Sequence, residues 1–472
     1  MSEEIIKGLQ GIRDWIWEPP LLVCLLGTGA YLMILLRGLP IRRLPKAISM
    51  ALGKNAKTGG RGGDEISAFS CLATELAATI GTGNIIGVVG AMLLGGPGAL
   101  PWMIFSAFLG LSTKLVESTL SVKYRKKREG KPPLGGPMMT LERAFPRKRA
   151  GKALAVCYAA FAVICSLGMG NLVQANSIVE ALHASMAWNR GLIGLIVAIL
   201  TIFAVLGGIK LISKISTYLV PAMGALYLAG CLGIIVMHHQ NLLPGLSTIL
   251  IGAFSPKAAS GGAFGILTIH WTQSFGWGIC RGVFSNEAGL GAGGISAAAS
   301  SEQDPYRQGL ISMSAVFFDT IVICTITGIA YACSGIPAMI SKGNIFLKNG
   351  SLADVTNPAD LMIAAFESAF GRYGGVLLSV CIALFAFATI LGWAVQGEAA
   401  FTYLFSEKYR LIFQVGYGIL PLAGAIFSLH AAWLFSDVAN GLLAIPNLIC
   451  IWALAPKICT ELIQKDENTF WA

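Results

Sequence analysis

Long runs of apolar residues alternate with short polar segments along almost the whole chain. A helix that crosses the hydrocarbon core of a bilayer needs about 20 mainly apolar residues. The windows that meet this requirement are residues 18–36, 67–95, 98–121, 152–181, 191–208, 215–237, 262–284, 308–334, 373–404, 411–429 and 432–455. Backbone groups in lipid must form hydrogen bonds within their own segment, so each window is predicted to be helical. The pattern therefore predicts an all-α integral membrane protein with about 11 transmembrane helices.

The composition agrees with this prediction. Of the 472 residues, 55% are hydrophobic and only 12% are charged, whereas a soluble domain carries about 25% charged residues. The formal net charge of +10 lies mainly in loops between the apolar windows and is not interleaved with aromatic residues. We attribute this charge to membrane topology and to contact with anionic lipid, and we expect no nucleic-acid partner.

The basic loops predict the orientation of the helices. Residues 37–61 and 123–152 are rich in Lys and Arg, and positively charged loops remain in the cytoplasm. We therefore predict a multi-pass protein of the cell (inner) membrane. With about 11 helices, its N-terminus lies outside the cell and its C-terminus in the cytoplasm. The first residues lack a basic segment followed by a small-residue cleavage site, so we expect the first apolar window to remain in the protein.

The windows divide into one N-terminal helix and two blocks of five. Blocks with an odd number of helices insert in opposite orientations, which is the arrangement of transporters built from inverted repeats. We therefore predict an N-terminal helix with its basic loop over 1–66, a first five-helix repeat over 67–238, a second repeat over 262–456 and a cytoplasmic tail over 457–472. The binding site of such transporters lies near the middle of the membrane, between interrupted helices.

Glycine clusters occur in the first helix of each predicted repeat. They are Gly81-Thr82-Gly83-Asn84 and Phe275-Gly276-Trp277-Gly278. Because glycine within a helix costs about 1 kcal/mol relative to alanine, both clusters predict an unwound segment. Unwound backbone at membrane depth is tolerated where it lines a cavity, and there its free N–H groups can bind a carboxylate and its carbonyls a hard cation. Close packing of helices is the alternative explanation for these glycines.

Longer motifs surround these clusters. They are GTGNIIGV at 81–88, LGGPGALPWM at 94–103, LSTKLVESTLSVKYR at 111–125, LGGPM at 134–138, GNLVQANSI at 170–178, RGVFSNEAGLG at 281–291, FFDTIVICT at 317–325, LFAFATILGW at 384–393 and GLLAIPNLI at 441–449. With these motifs, the chain from about residue 65 to 450 resembles the alanine or glycine/cation (sodium) symporter family. The fold of that family is similar to the inverted-repeat fold of bacterial leucine transporters, and its members carry small neutral amino acids together with sodium.

The resemblance implies roles for individual residues. The backbone N–H groups of Thr82 and Gly83 would bind the substrate carboxylate, and Asn84 would place a side-chain oxygen near the ion or the substrate. The other implied substrate contacts are Gln174 on the opposite wall, Phe275, Gly276, Trp277 and Gly278 at the second interruption, and Trp393, whose ring would limit the size of the substrate side chain. The implied sodium ligands are the Thr389 hydroxyl, the main-chain carbonyls of Ala77 and Ile80, and Thr272 at a second ion.

Each of these side chains also has a purely structural explanation. Gln174 can join neighbouring helices, because an amide in lipid needs a partner. Trp393 can serve packing alone, and Thr389 can bond the carbonyl four residues earlier on its own helix. Glu287 is expected to pair with a cytoplasmic Arg or Lys as part of a gate.

Departures from the family pattern leave the ion and the substrate open. Ala388 stands where a serine is expected beside Thr389, which removes one hydroxyl from the implied sodium site. Glu75 stands where a small residue is expected. It is interpreted either as half of a salt bridge with a cytoplasmic base or as a carboxylate that assists or replaces the ion.

Together these observations predict a secondary active transporter that carries alanine, glycine or both into the cell with sodium by alternating access. The alternative is proton coupling, or exchange of another small amino acid, in the same fold. No motif of a catalytic site, metal cluster or nucleotide-binding loop is found in the sequence, so we expect no enzyme activity and no cofactor other than the co-transported sodium ion. The expected partners are substrate, sodium and membrane lipid, while the oligomeric state and the D/L selectivity stay open.

Overall fold

The computed structural model of the chain describes residues 3–17, 19–53, 56, 66–254, 273–337, 358–426 and 429–470. Nearly all residues in these ranges are helical, as the apolar windows predict. The N-terminal segment forms α1 (Glu3–Trp17), α2 (Pro19–Leu35) and the short helices α3 (Leu39–Arg42) and α4 (Leu44–Leu52).

The next part of the chain contains the first predicted repeat. Its helices are α5 (Ala68–Thr79), α6 (Ile86–Leu94), α7 (Ala99–Lys123), α8 (Pro137–Ala144), α9 (Lys148–Leu167), α10 (Val173–Met186), α11 (Arg190–Leu206), α12 (Gly208–Met237) and α13 (Leu242–Phe254). A 3-10 turn, Thr82–Asn84, separates α5 from α6, and a π-helical turn, Gly168–Leu172, separates α9 from α10. The first apolar window of this repeat is therefore two short helices, as its glycines predict.

The described residues of the second predicted repeat are also helical. The helices are α14 (Gln273–Asn286), α15 (Ala292–Ala298), α16 (Pro305–Val316), α17 (Thr325–Cys333), α18 (Pro358–Phe370), α19 (Arg372–Phe405), α20 (Arg410–Gly424) and α21 (Leu429–Phe470). A π-helical turn, Phe317–Cys324, joins α16 to α17. Turns of this kind inside a helix occur frequently at functional sites.

Seven helical runs among the described residues are long and apolar enough to cross a membrane. They are Gln10–Leu35, Ala99–Lys123, Lys148–Met186, Gly208–Met237, Pro305–Cys333, Arg372–Phe405 and Asp437–Asn468. Shorter apolar helices are Ala68–Thr79 and Arg190–Leu206. Much of the predicted window 262–284 lies outside the described residues. The helix content is that of a multi-pass membrane protein.

The fold also contains a feature that the apolar pattern did not predict. Part of the basic loop after α7 forms an antiparallel hairpin of strands β1 (Lys126–Arg128) and β2 (Lys131–Leu134). Arg128 and Lys131 of this hairpin both pair with Glu407, in the loop between α19 and α20. The hydrogen bond from Lys131, together with the Arg128 charge, lowers the pKa of Glu407 below its ordinary value. The hairpin is therefore tied to the end of α19.

The end of α21 lies on the same side of the bundle as the basic loops. Arg43, beside α4, donates two hydrogen bonds to Asp466 at 2.7 and 2.9 Å. Lys123, at the end of α7, pairs with Glu461. Both acidic residues belong to the last turns of α21, so the C-terminal end of this helix shares one face of the molecule with the lysine- and arginine-rich segments.

Glycines bring the central helices into close contact. A Cβ added to Gly278 of α14 would overlap the Ala99 carbonyl at the start of α7, and one added to Gly282 would overlap Ser106 of the same helix. Gly392 of α19 lies equally close to the backbone of α5. Small residues let membrane helices approach at the backbone, where van der Waals packing and polar contacts hold them together. The interrupted helix is thus packed directly against α19, while α14 is packed against α7.

Candidate functional site

The interruption between α5 and α6 is closed by a single asparagine side chain. The Gly81 N–H donates to Asn84 Oδ1 at 2.9 Å, so it does not continue the α-helical pattern to the carbonyl of Ala77, four residues earlier. Carbonyls in the last turn of a helix and N–H groups in the first turn of the next have no partners within their own helices. The chain therefore presents carbonyls near Ala77 and N–H groups at Thr82 and Gly83 at one place.

Gln174 of α10 reaches this interruption from the opposite wall, as the resemblance implied. The Thr82 hydroxyl donates to Gln174 Oε1 at 3.2 Å, and the Gln174 amide donates to the Met169 carbonyl at 3.2 Å. Thr82 is fully buried and Gln174 nearly so. The contact with Thr82 joins α10 to the interruption, while the amide N–H bond stays within the helical run of Gln174 itself. The two explanations of this residue therefore do not exclude each other.

Thr389 of α19 lies on another side of the interruption. Its hydroxyl is 3.4 Å from the Ile80 carbonyl and 3.1 Å from the Phe385 carbonyl on its own helix. Both the contact implied for a sodium ligand and the bond to the fourth preceding residue are therefore present. A Cβ added to Gly81 would lie 2.5 Å from the Thr389 hydroxyl, which shows how closely this helix approaches the unwound backbone.

A buried carboxylate lies beside Asn84. Asp319, in the π-helical turn between α16 and α17, accepts hydrogen bonds from Asn84 Nδ2 at 2.7 Å, the Ser285 hydroxyl at 2.8 Å and the Thr320 hydroxyl at 2.7 Å. Asn84 Nδ2 is also 3.0 Å from the Ser285 hydroxyl. All three donors to the carboxylate are neutral. The network gathers carboxylate and hydroxyl oxygens next to the interruption, a donor set that suits a hard cation.

Gly83 is the least enclosed residue of the interruption. It is only half-buried, whereas Gly81, Thr82 and Asn84 are buried, and the nearest atom to a Cβ added there is 3.9 Å away, in the Phe284 ring. Phe284 and Ser285 are therefore the residues of α14 that face the interruption.

The position predicted for the second interruption is wrong. Residues 275–278 lie within the continuous helix α14. Phe275 packs edge to face on Trp102 at 4.9 Å, and the Arg281 guanidinium lies 5.7 Å from the centre of the Trp277 ring. Gly278, and Gly282 one turn later, serve close packing on α7, which was the alternative explanation. Residues 255–272, and with them Thr272, lie outside the described residues.

Trp393 is fully buried one helical turn beyond Thr389. Its indole N–H donates to Glu287 Oε1 at 3.0 Å, and its Cβ lies against Gly170, where any side chain would overlap it. Glu287 adopts a left-handed backbone conformation with φ 55°, which is uncommon outside glycine, asparagine and aspartate. The expected pairing of Glu287 with a cytoplasmic Arg or Lys is therefore wrong, because its hydrogen-bond partner is Trp393 and the lysine that acts on it, Lys114, is buried in the middle of α7.

Glu75 forms the salt bridge that was one of its two interpretations. The Lys114 ammonium lies 3.0 Å from Glu75 Oε1. The base is not in a cytoplasmic loop, however, but in the middle of α7, and both side chains are fully buried. Removing either partner of this buried ion pair would leave an uncompensated charge inside the bundle, so each partner is needed to keep the other stable there.

Three residues of this site were not assigned from the sequence: Phe284, Ser285 and Asp319. The first two belong to the motif RGVFSNEAGLG, which identified the family but was assigned only through Glu287. Asp319 is an acidic residue inside an apolar window, and such residues usually face the bundle interior. Which wall they face depends on helix packing that the sequence does not show.

The chain is similar to known proteins over almost its whole length. The model of the sodium:alanine symporter family matches residues 2–468. The sodium/alanine symporter AgcS of Methanococcus maripaludis is 39% identical over 469 residues, which cover 98% of this chain and 99% of that protein. The probable sodium/glutamine symporter GlnT of Bacillus subtilis is 32% identical over 467 residues, 98% of this chain and 91% of that protein.

The fold also matches solved structures. The crystal structure of MhsT in complex with L-phenylalanine superposes with a TM-score of 0.58 and 15% sequence identity, covering 85% of this chain and 98% of that chain. At this identity the likeness shows the fold alone, which is that of the leucine-transporter-like proteins.

Proposed function

The chain belongs to the sodium:alanine symporter family, and we propose that it carries alanine, glycine or both into the cell with sodium by alternating access. Members of this family are sodium-coupled membrane transporters and not enzymes. The observation that supports the proposed substrate class is the turn at 81–84. There, the N–H groups of Thr82 and Gly83 begin the 3-10 turn between α5 and α6, and N–H groups without helical partners can bind a carboxylate.

The walls of the site support a small substrate. We place the amino-acid carboxylate at the N–H groups of Thr82 and Gly83, with Gln174 opposite and the Phe284 ring across from Gly83. Phe284 takes the role that the sequence implied for residues 275–278. Trp393 closes the site beyond Thr389, and its ring, held by Glu287, limits the length of the substrate side chain.

We place one sodium ion between α5 and α19. Its ligands would be the carbonyls of Ala77 and Ile80, which the interruption frees from helical hydrogen bonds, and the Thr389 hydroxyl. Sodium is a hard cation and prefers such oxygens. Ala388 supplies no hydroxyl here, so backbone oxygens carry more of the coordination than a neighbouring serine would require.

We place a second cation beside Asp319 and Asn84. The Asp319 carboxylate receives hydrogen bonds only from neutral groups among its described contacts. The Lys114 ammonium also acts electrostatically on this carboxylate, but it is shared with Glu75, Glu117 and Glu287. A sodium ion beside Asp319 would compensate the buried charge more directly. The Ser285 and Thr320 hydroxyls lie close enough to turn their oxygens toward that ion. Thr272, which the resemblance implied for a second ion, lies outside the described residues.

The proposed topology has about 11 spans, with the N-terminus outside and the C-terminus in the cytoplasm. It retains the division into a helix and basic loop over 1–66, repeats over 67–238 and 262–456, and a tail over 457–472. The contacts of Arg43 and Lys123 with α21 support it, because they join the C-terminal end of the chain to the basic segments that the positive-inside rule assigns to the cytoplasm.

Uptake into proteoliposomes tests this function. With an inward sodium gradient, labelled alanine should accumulate, and without the gradient it should only equilibrate. A matched arm with an inward proton gradient and no sodium separates proton coupling from sodium coupling. Equal accumulation with and without sodium would contradict the proposal. Competition by glycine, alanine, glutamine and phenylalanine then ranks the substrates by size.

Thr389→Val is expected to raise the sodium concentration needed for half-maximal uptake by about tenfold, because one sodium-ligating oxygen is lost while side-chain volume is kept. Thr389→Ser retains the hydroxyl and should stay within about twofold of the parent protein. The measurement is alanine uptake against sodium at constant ionic strength. A Val variant whose sodium dependence matches that of Ser would show that Thr389 only bonds Phe385.

A further inference from the structure

Three buried carboxylates share one buried ammonium group near the interruption between α5 and α6. The Lys114 ammonium lies 3.0 Å from Glu75 Oε1 and 3.7 Å from Glu117 Oε1. It also interacts electrostatically with Glu287. Glu75, Lys114 and Glu287 are fully buried and Glu117 is 2% exposed. They come from α5, from α7 and from the residue that follows α14, so the cluster lies where three helices meet.

Neutral donors stabilise these carboxylates without cancelling their charge. Glu117 Oε2 accepts the Gly289 N–H and the Asn447 amide, each at 3.2 Å, while Glu287 Oε1 accepts the Trp393 indole. Glu117 Oε1 and Glu287 Oε2 receive no hydrogen bond from the described residues. Hydrogen bonds redistribute charge but do not supply a counter-ion. Among the described residues, the cluster therefore holds three carboxyl groups for one ammonium group.

Among the described residues, Asp319 is a further acidic group that acts on this cluster. Asp319 interacts electrostatically with Glu287, and its own hydrogen-bond donors are neutral. Lys114 is the cation that acts on all four carboxyl groups, Asp319 included. A bilayer interior does not tolerate uncompensated charge. Cations that arrive from solution at neighbouring positions would supply the missing compensation.

The cluster lies close to the place proposed for sodium. Glu75 precedes Ala77 by two residues and Ile80 by five along α5, which corresponds to about 3 to 8 Å along the helix axis. At such separations, with an effective dielectric constant of about 20, one unit charge changes the binding constant of a monovalent cation by about tenfold or more. No direct contact with the ion is needed.

We propose that Glu75, Glu117 and Glu287 are positioning residues that act on sodium through their charge, and that Lys114 limits this effect. The inference rests on the sodium site proposed between α5 and α19. The carboxylates raise sodium affinity because they are in excess over Lys114, and Lys114 keeps the affinity low enough for release. The same balance makes the ion a counter-charge for the buried carboxylates of the bundle.

Charge substitutions with opposite expected signs test this inference. The measurement is binding of radioactive sodium to the purified full-length protein, without amino acid and at constant ionic strength. Glu75→Gln and Glu117→Gln should each weaken sodium binding by about tenfold. Lys114→Met should strengthen it by a similar factor. The double variant Lys114→Met/Glu75→Gln removes both partners and should return to within about threefold of the parent protein.

A purely structural role cannot produce this sign pattern, because damage to packing weakens binding in every variant. Glu180→Gln, which removes an exposed partner of Arg190, is the matched control and should leave binding unchanged. If Lys114→Met does not fold, the two Gln variants and the double variant still decide the matter. Unchanged binding in both Gln variants, or weak binding in the double variant, would overturn the inference. Thr389→Val in the same assay tests the sodium site separately. If this variant binds sodium as well as the parent protein, the ion does not lie at Thr389, but the effect of the buried charges on sodium binding still stands.

Discussion

Gly81→Ala is expected to reduce sodium-dependent alanine uptake by about 100-fold or more, because a displacement of about 1 Å at a binding site has an effect of this size. The added Cβ would lie 2.5 Å from the Thr389 hydroxyl and 3.5 Å from Gln174 Oε1. Relief requires α19 to move away from α5 or the turn at 81–84 to shift. Either movement separates the Ile80 carbonyl from Thr389 and disturbs the N–H groups that we assign to the substrate carboxylate.

The same substitution six residues later provides the control. A Cβ added to Gly87 meets no atom within 4 Å, and Gly87 lies in the helix α6, where alanine is favoured over glycine by about 1 kcal/mol. Gly87→Ala should therefore keep parental uptake. Both variants are compared by initial uptake rate per amount of protein in the vesicles. If the two variants transport equally well, the contact between α5 and α19 is not part of the site.

A double variant tests the cause of the Gly81 effect. Thr389→Ala removes the hydroxyl that the new Cβ would meet, so Gly81→Ala should cost much less in that background than in the parent protein. Residues in contact show such non-additive effects, whereas independent residues do not. If the losses of uptake in Gly81→Ala and Thr389→Ala simply add in the double variant, the Gly81 effect does not arise from the Thr389 hydroxyl. Its cause would then be another contact, such as the one with Gln174.

The interruption of the first repeat was predictable from sequence because its cause is local. Glycine and asparagine at 81–84 weaken the helix, and the Asn84 side chain supplies the acceptor that replaces the helical carbonyl. The helices themselves followed from apolar windows of sufficient length. Both features depend on residues within a few positions of one another, so no knowledge of tertiary contacts was needed.

The second interruption was misplaced because the same glycines have another use. Gly278 and Gly282 lie where α14 meets α7, and a sequence pattern cannot distinguish a glycine that permits close packing from one that permits unwinding. Glu75 and Lys114 show a related limit. Their separation in sequence is 39 positions, and only the fold, which brings these two side chains together, shows that the base paired with Glu75 is inside the bundle.

Asp319→Asn is expected to weaken sodium binding by about 30-fold, within the 10- to 100-fold range typical of lost support for a metal ion, and to abolish uptake at low external sodium. The amide keeps the shape of the carboxylate but removes its charge, and its NH₂ group faces at least one of the donors from Asn84, Ser285 and Thr320. Raising sodium should restore part of the uptake, because the defect lies in ion affinity. Asp360→Asn, at an exposed position of α18, serves as the control and should behave like the parent protein. A purely structural role would instead reduce the yield of folded protein and leave the sodium dissociation constant of the folded fraction unchanged. That result would show that Asp319 is not part of the ion site.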